Sequence, residues 1–122
     1  MSNRDIKFRA WCSVSGSYDY FSVQEALLMD VSKIGEKAIN EDFSFEQFTG
    51  KYSESGEVWE GDIYWNGDED FYPTVVEYDE KEAKFFLRMP DGLTDEFYAL
   101  EYGNYKLVGN RHQNPELLEQ EQ

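Results

Sequence analysis

The sequence predicts a mainly β protein, a small antiparallel barrel or sheet over about residues 57–109 with an N-terminal strand and helix extension and a short C-terminal helix. Three observations carry this. Apolar and polar residues alternate in short runs, turn residues recur every 8 to 12 positions, and aromatic residues make up 17% of a 122-residue chain. Short strands at that spacing favour a closed or sandwiched all-β unit over alternating strands and helices. The aromatic content supplies a core even though mean hydropathy is -0.74.

Asp5 to Trp11 sets Ile6, Phe8 and Ala10 against Lys7, Arg9 and Trp11, the period of a half-buried strand, with Lys7 and Arg9 expected to face solvent. A second strand is expected from Tyr18 to Val23 after the turn Ser15-Gly16-Ser17. Ser22, with Glu25 three residues on, forms a capping box ahead of Ala26, Leu27, Leu28 and Val31, and predicts a short helix. Phe43 to Phe48 alternates as a strand and ends at a Thr49-Gly50 turn.

Val58 to Trp65 is expected as one strand closed by Asn66-Gly67, the pair best suited to a tight hairpin turn. Pro73 opens the next strand, Thr74 to Tyr78, where its missing N–H is tolerated. An acidic turn at Asp79 to Glu82 leads to Lys84–Met89, and Pro90-Asp91-Gly92 interrupts the sheet. Phe97 to Glu101 resumes it, and Tyr105 to Val108 is the last strand, which completes an SH3-like order. Asn114 as N-cap, Pro115 at the first position and Glu116 near the positive end of the dipole predict a closing helix that docks Leu117 and Leu118.

Length predicts one domain, residues 1–122, divided into an N-terminal part (1–56), a barrel core (57–109) and a helical tail (114–122). No run reaches the roughly 18 apolar residues of a membrane span, and Met1 to Asp5 leads into no apolar segment. One cysteine and one histidine make neither an internal disulfide nor a Cys/His zinc set. The expectation is a cytoplasmic protein with no membrane partner, no metal and no cofactor.

Net charge is -15, and its distribution is uneven. Residues 1 to 37 are formally neutral, and everything after them holds 21 acids against six bases. Such a surface repels phosphate, so direct nucleic-acid binding is disfavoured.

Four strings stand in order along the chain: Ile6-Lys7-Phe8-Arg9-Ala10-Trp11, Gln47-Phe48-Thr49-Gly50, Glu60-Gly61-Asp62-Ile63, and Val108-Gly109-Asn110 through Asn114-Pro115-Glu116-Leu117-Leu118. Together they resemble the signature of the YopX-like proteins of phages and prophages. The segment from Gly50 to Trp59 is shorter and less basic than in that pattern, so no charge-dependent property of it carries over. The resemblance implies a family of uncharacterised activity and assigns no catalytic residue.

Other residue sets invite chemistry and have plainer readings. Asp68-Glu69-Asp70 could attract calcium, but lacks EF-hand spacing and reads as a solvated hairpin tip. Glu60 and Asp62 flank Gly61 as a carboxylate pair would, with no nucleophile beside them, and read as strand residues. Cys12 and His112 could form a thiolate–imidazolium dyad, but read as structural. Trp11, Trp59, Trp65 and Tyr52, Tyr64, Tyr72 and Tyr78 could stack bases, but lack interleaved cations and read as packing.

The function expected is therefore non-catalytic: a phage accessory protein whose acidic surface, with Asp68, Glu69, Asp70, Glu80 and Glu82 as contacts, engages a basic host or phage protein. Occupying the DNA site of a defence or transcription protein by charge mimicry is its sharpest form. Homo-association through edge strands is also expected. The alternative is a nucleic-acid-associated barrel that holds single strands on its aromatic residues, with a patch of Arg4, Lys7, Arg9 and Lys84 meeting phosphate.

Overall fold

The computed structural model describes residues 6–22, 43–102 and 104–119. Within them the protein is mainly β and antiparallel, in two sheets. The helix expected after Ser22 and the base Arg4 lie outside the described residues. The chain divides into two compact units, residues 1–50 and 51–122. The second begins ahead of residue 57 because the hairpin that follows Gly50 belongs with it.

In the N-terminal unit, β1 (Lys7–Cys12) pairs with β2 (Ser17–Ser22) across a tight turn in which the Gly16 N–H donates to the Cys12 carbonyl at 2.8 Å. On its other side β1 pairs with β3 (Phe43–Ser53), with Phe8 opposite Gln47 and Cys12 opposite Phe43. β3 does not stop at Thr49-Gly50. It continues to Ser53 because Gly50, at φ 85, takes a conformation that bends the strand without ending it.

The two faces of this sheet depart from simple alternation. Arg9, expected in solvent, is buried beside Ala10 and Trp11, whereas Ile6 is 47% exposed. Phe8, Phe21 and Phe45 pack ring to ring on the opposite face, with centroids 6.0 and 6.3 Å apart. Both faces thus carry aromatic residues, and period-two patterning alone does not say which one is covered.

In the C-terminal unit, the expected strand from Val58 to Trp65 is two strands, β4 (Gly56–Trp59) and β5 (Asp62–Trp65). Glu60 and Gly61 form a turn between them, with Gly61 at φ 89. β6 (Thr74–Asp79), β7 (Lys84–Arg88) and β8 (Thr94–Glu96) continue as a meander, and β9 (Lys106–Asn110) returns to pair with β5. The order β8-β7-β6-β5-β9 is that of a small barrel. Among the described residues β8 and β9 remain its edges.

Asn66-Gly67 does not make a two-residue hairpin. The connection runs to Pro73 and is held by side chains: the Trp65 Nε1–H donates to the Asp68 and Phe71 carbonyls, and Asn66 Oδ1 accepts from the Asp68 N–H. Asp79 orders the β6–β7 turn by accepting the Lys81 N–H at 2.9 Å. The strand expected at Phe97–Glu101 lies earlier, at β8, and Ala99–Tyr102 is a helical turn, α1. The early turn is set by Asp91, which accepts the Leu93 N–H, so the chain re-enters the sheet at once.

The core of this unit gathers Val58, Tyr64, Val76 and Leu87, with Phe85, Phe97 and Leu100 packed against them. These come from β4, β5, β6 and β7, so hairpin register and core are the same constraint. Pro115–Leu118 forms a single 3-10 turn rather than an α-helix. Asn114 does not cap it by its side chain. Its Oδ1 instead accepts the Asn110 N–H at 3.2 Å, tying the tail to the end of β9.

That bond requires a bare backbone beneath it. A Cβ on Gly109 would lie 2.3 Å from Asn114 Oδ1. Gly109→Ala is expected to destabilise the protein by about 1–3 kcal/mol through overpacking. The double variant with Asn114→Ala is expected to lose less than the two single losses combined, because the two closest contacts go with the amide and only the Cβ of residue 114, at 2.9 Å, remains. Chemical denaturation of the four proteins of that cycle checks both.

Candidate functional site

The N-terminal unit holds a buried polar cluster. Arg9 Nε donates to Glu46 Oε1 at 2.8 Å across the β1–β3 ladder, where the two residues are paired. The Tyr18 hydroxyl donates to the same oxygen at 2.9 Å, and the Arg9 guanidinium lies 4.0 Å from the Tyr18 ring centre. The side chains of Arg9 and Glu46 are 5% and 0% exposed. A charge taken that far from water needs a partner and further hydrogen bonds, and this geometry supplies both. Lys7 extends over the Phe48 ring at 5.1 Å.

Arg9 is therefore committed to Glu46, and Lys84 in the other unit is paired with Glu96 at 3.3 Å. Of the basic patch expected from Arg4, Lys7, Arg9 and Lys84, Arg9 and Lys84 are thus held by carboxylates, each within its own unit. Nothing in the sequence marked Arg9 as buried except Glu46, 37 residues away, and that pairing depends on strand register.

Glu60-Gly61-Asp62 is a structural junction. The Gly61 N–H donates to the Val76 carbonyl at 2.7 Å, and its own carbonyl accepts the Arg111 N–H at 2.9 Å. Asp62, buried, accepts the Trp59 N–H at 2.9 Å and closes the turn. Glu60 faces Arg111 at 3.8 Å. Asn110 Oδ1 accepts the backbone N–H groups of His112 and Gln113, both at 3.0 Å, which makes Asn110-Arg111-His112 an ordered turn. Cys12 is half-buried at the end of β1 in one unit, and His112 belongs to the other.

The five acidic residues singled out are all exposed. Asp68, Glu69 and Asp70 share the β5–β6 connection, and Glu80 and Glu82 sit in the β6–β7 turn. These loops leave opposite ends of β6, six residues long, so they stand about 20 Å apart at the usual rise per residue. The aromatic set divides as well. Trp11, Trp59 and Tyr64 are core residues, Trp65 pins a loop, and Tyr52, Tyr72 and Tyr78 are exposed.

Sequence reasoning missed a groove in the C-terminal unit. It has a volume of about 870 Å³ and is walled by Tyr52, Phe97, Tyr98 and Tyr105 over a floor of Val58 and Leu100. Asn66 and Asn104 line it, with Lys51 and Lys106 among its polar groups and Glu54 as its carboxylate. The end of β3, the β8–α1 segment and the start of β9 meet there through tertiary contacts that no local string announces. Burial, and then the neighbouring Asp95 carboxylate, raise the Tyr105 hydroxyl above its ordinary pKa and keep it a hydrogen-bond donor.

Two tests follow. Glu46→Ala leaves Arg9 buried and unpaired and is expected to cost about 3–5 kcal/mol, whereas Arg9→Met with Glu46→Leu should recover most of that loss; denaturant midpoints decide. Because Tyr105 ionises later in the folded chain than in the unfolded one, its contribution to stability is full below pH ~10 and falls as pH rises past that value. The slope of stability against pH above that point should become shallower in Tyr105→Phe.

A family model described as YopX protein matches residues 7–119. A search of curated proteins returned no match. Among solved structures, protein EF1440 from Enterococcus faecalis is similar, with a TM-score of 0.59 at 20% identity, over 93% of this chain and 98% of that one. That likeness speaks to the fold, while the family match runs from β1 to just past the closing 3-10 turn: the chain belongs to the YopX family.

Proposed function

We propose that the protein is a phage- or prophage-encoded accessory protein that works by binding rather than catalysis, and that its carboxylates engage a basic surface on a host or phage protein in the cytoplasm. One observation carries this reading. Arg9, Arg88, Lys84 and Arg111 are each bound to a carboxylate, while Asp68, Glu69, Asp70, Glu80 and Glu82 remain exposed on two loops. The surplus of negative charge is therefore displayed rather than neutralised.

The loops are also ordered. Asp70 donates its N–H to Asp68 Oδ1 at 2.9 Å, and Asp79 fixes the turn that bears Glu80 and Glu82. Pre-ordered charge loses less entropy on binding and steers approach of a basic partner. With the loops about 20 Å apart along β6, the contact is two-pointed. Occupation of a DNA site would then rest on two acidic spots and not on one continuous row.

A partner isolated from host lysate after nuclease treatment tests the reading by titration calorimetry. Raising salt from about 0.05 to 0.3 M is expected to weaken binding at least tenfold. Changing the five carboxylates to amides should do the same. Affinity that resists both would overturn the proposal.

A further inference from the structure

In the groove of the C-terminal unit, opposite charges line one surface without meeting. Residues 51–122 hold 18 acids against six bases, yet the groove takes two of those bases, Lys51 and Lys106, and a single carboxylate, Glu54. Lys84, Arg88 and Arg111 are each held by a carboxylate elsewhere. Among the described residues the Lys106 ammonium and the Glu54 carboxylate make no ion pair and no hydrogen bond, although both are exposed in the same groove.

The backbone explains how the two come to share it. Glu54 sits in the β3–β4 turn, where Ser53 Oγ accepts the Ser55 N–H at 3.1 Å. The Ser55 hydroxyl oxygen in turn accepts the Leu107 N–H at 3.4 Å, one residue from Lys106 at the start of β9. The turn that carries the carboxylate is thus held against the strand that carries the ammonium, while the two groups stay beyond ion-pair distance. Phe97 and Tyr105, both half-buried, wall the groove over a floor of Val58 and Leu100. Its volume, about 870 Å³, falls within the roughly 300–1,000 Å³ of ligand sites.

From this arrangement we infer that the groove binds a small zwitterion with an aromatic body, a free aromatic amino acid or a dipeptide of two, with its carboxylate set against Lys106 and its ammonium against Glu54. Charge decides among the alternatives. A net anion would find lysines in the groove but must approach a chain of net charge -15, and a net cation is drawn by that field only to meet Lys51 and Lys106. A zwitterion gives the long-range field no net charge to act on and offers each unpaired group its opposite. Its rings pack edge or offset against the aromatic walls. The site uses none of the five loop carboxylates, so it stands or falls separately from the acidic-surface reading.

Calorimetry on the full chain tests it at pH about 6.5, where α-amino groups are protonated. The probes are tryptophan and tryptophyl-tryptophan, each beside its N-acetylated form, which is an anion, and its C-terminal amide, which is a cation, with alanine as the zwitterion that lacks a ring. Tryptophan or its dipeptide is expected to bind at least tenfold more tightly than its own capped forms and than alanine, and the tighter of the two names the source. Lys106→Met should weaken the zwitterion and the N-acetylated form about tenfold and leave the amide unchanged. Glu54→Gln should weaken the zwitterion and the amide and leave the N-acetylated form unchanged. Both side chains are exposed, so melting temperatures should not move. Equal affinity for zwitterion and capped forms, alanine binding as tightly as tryptophan, variants that affect all probes alike or none, or failure of every probe would each overturn the assignment.

Discussion

The turn at Gly61 is the constraint on which the C-terminal unit depends. At φ 89 the residue adopts a conformation that side-chain-bearing residues disfavour, and in it the amide reaches Val76 while the carbonyl reaches Arg111. Asp62 closes the same turn from within by holding the Trp59 amide. One dipeptide therefore fixes where β4 ends, where β5 begins, how β5 meets β6, and where the chain leaves β9. Asn110 and Asn114 extend the arrangement, since each amide side chain satisfies backbone groups that the sheet leaves over. Two of the four strings that carry the family resemblance, Glu60 to Ile63 and Val108 to Leu118, coincide with these junctions, and the residues in them serve the backbone of the fold.

The N-terminal unit solves a different problem. Its three strands carry aromatic residues on both faces, and the polar pair Arg9 and Glu46 is sealed into one of them. A buried pair of this kind adds little net stability compared with a hydrophobic substitute, but it penalises any register in which the charges fail to meet. A shift of β3 by one residue against β1 would strand both. The pair is thus best understood as a register lock, with Tyr18 completing its hydrogen bonds and covering the guanidinium.

Charge then has two separate uses. Cations are drawn into pairs with Glu46, Glu60, Glu77 and Glu96, and these pairs sit on strands or at junctions. Asp68, Glu69, Asp70, Glu80 and Glu82 sit instead in the two connections at either end of β6, which are ordered by the Asp68 and Asp79 side chains accepting the Asp70 and Lys81 N–H groups. The donor-lined groove adjoins one of those loops through Asn66.

The sequence alone determined the β class, the strands β1, β2, β6, β7 and β9 to within two residues at either end, and the surplus of negative charge, because alternation, turn residues and composition are local properties. It misjudged the run from Val58 to Trp65, since a glycine that permits a turn reads the same as one that permits close approach within a strand. It placed Arg9 in solvent because nothing local distinguishes a charged residue on an outer face from one whose partner arrives on a strand 37 positions later. The Asn66-Gly67 hairpin failed for a related reason: Trp65 and Asp68 offered the loop more bonds than a two-residue turn would. The groove belongs wholly to the tertiary structure. Tyr52, Tyr98 and Tyr105 stand far apart in the chain and become one surface only when the return of β9 to β5 brings the start of β9 beside the end of β3 and the β8–α1 segment.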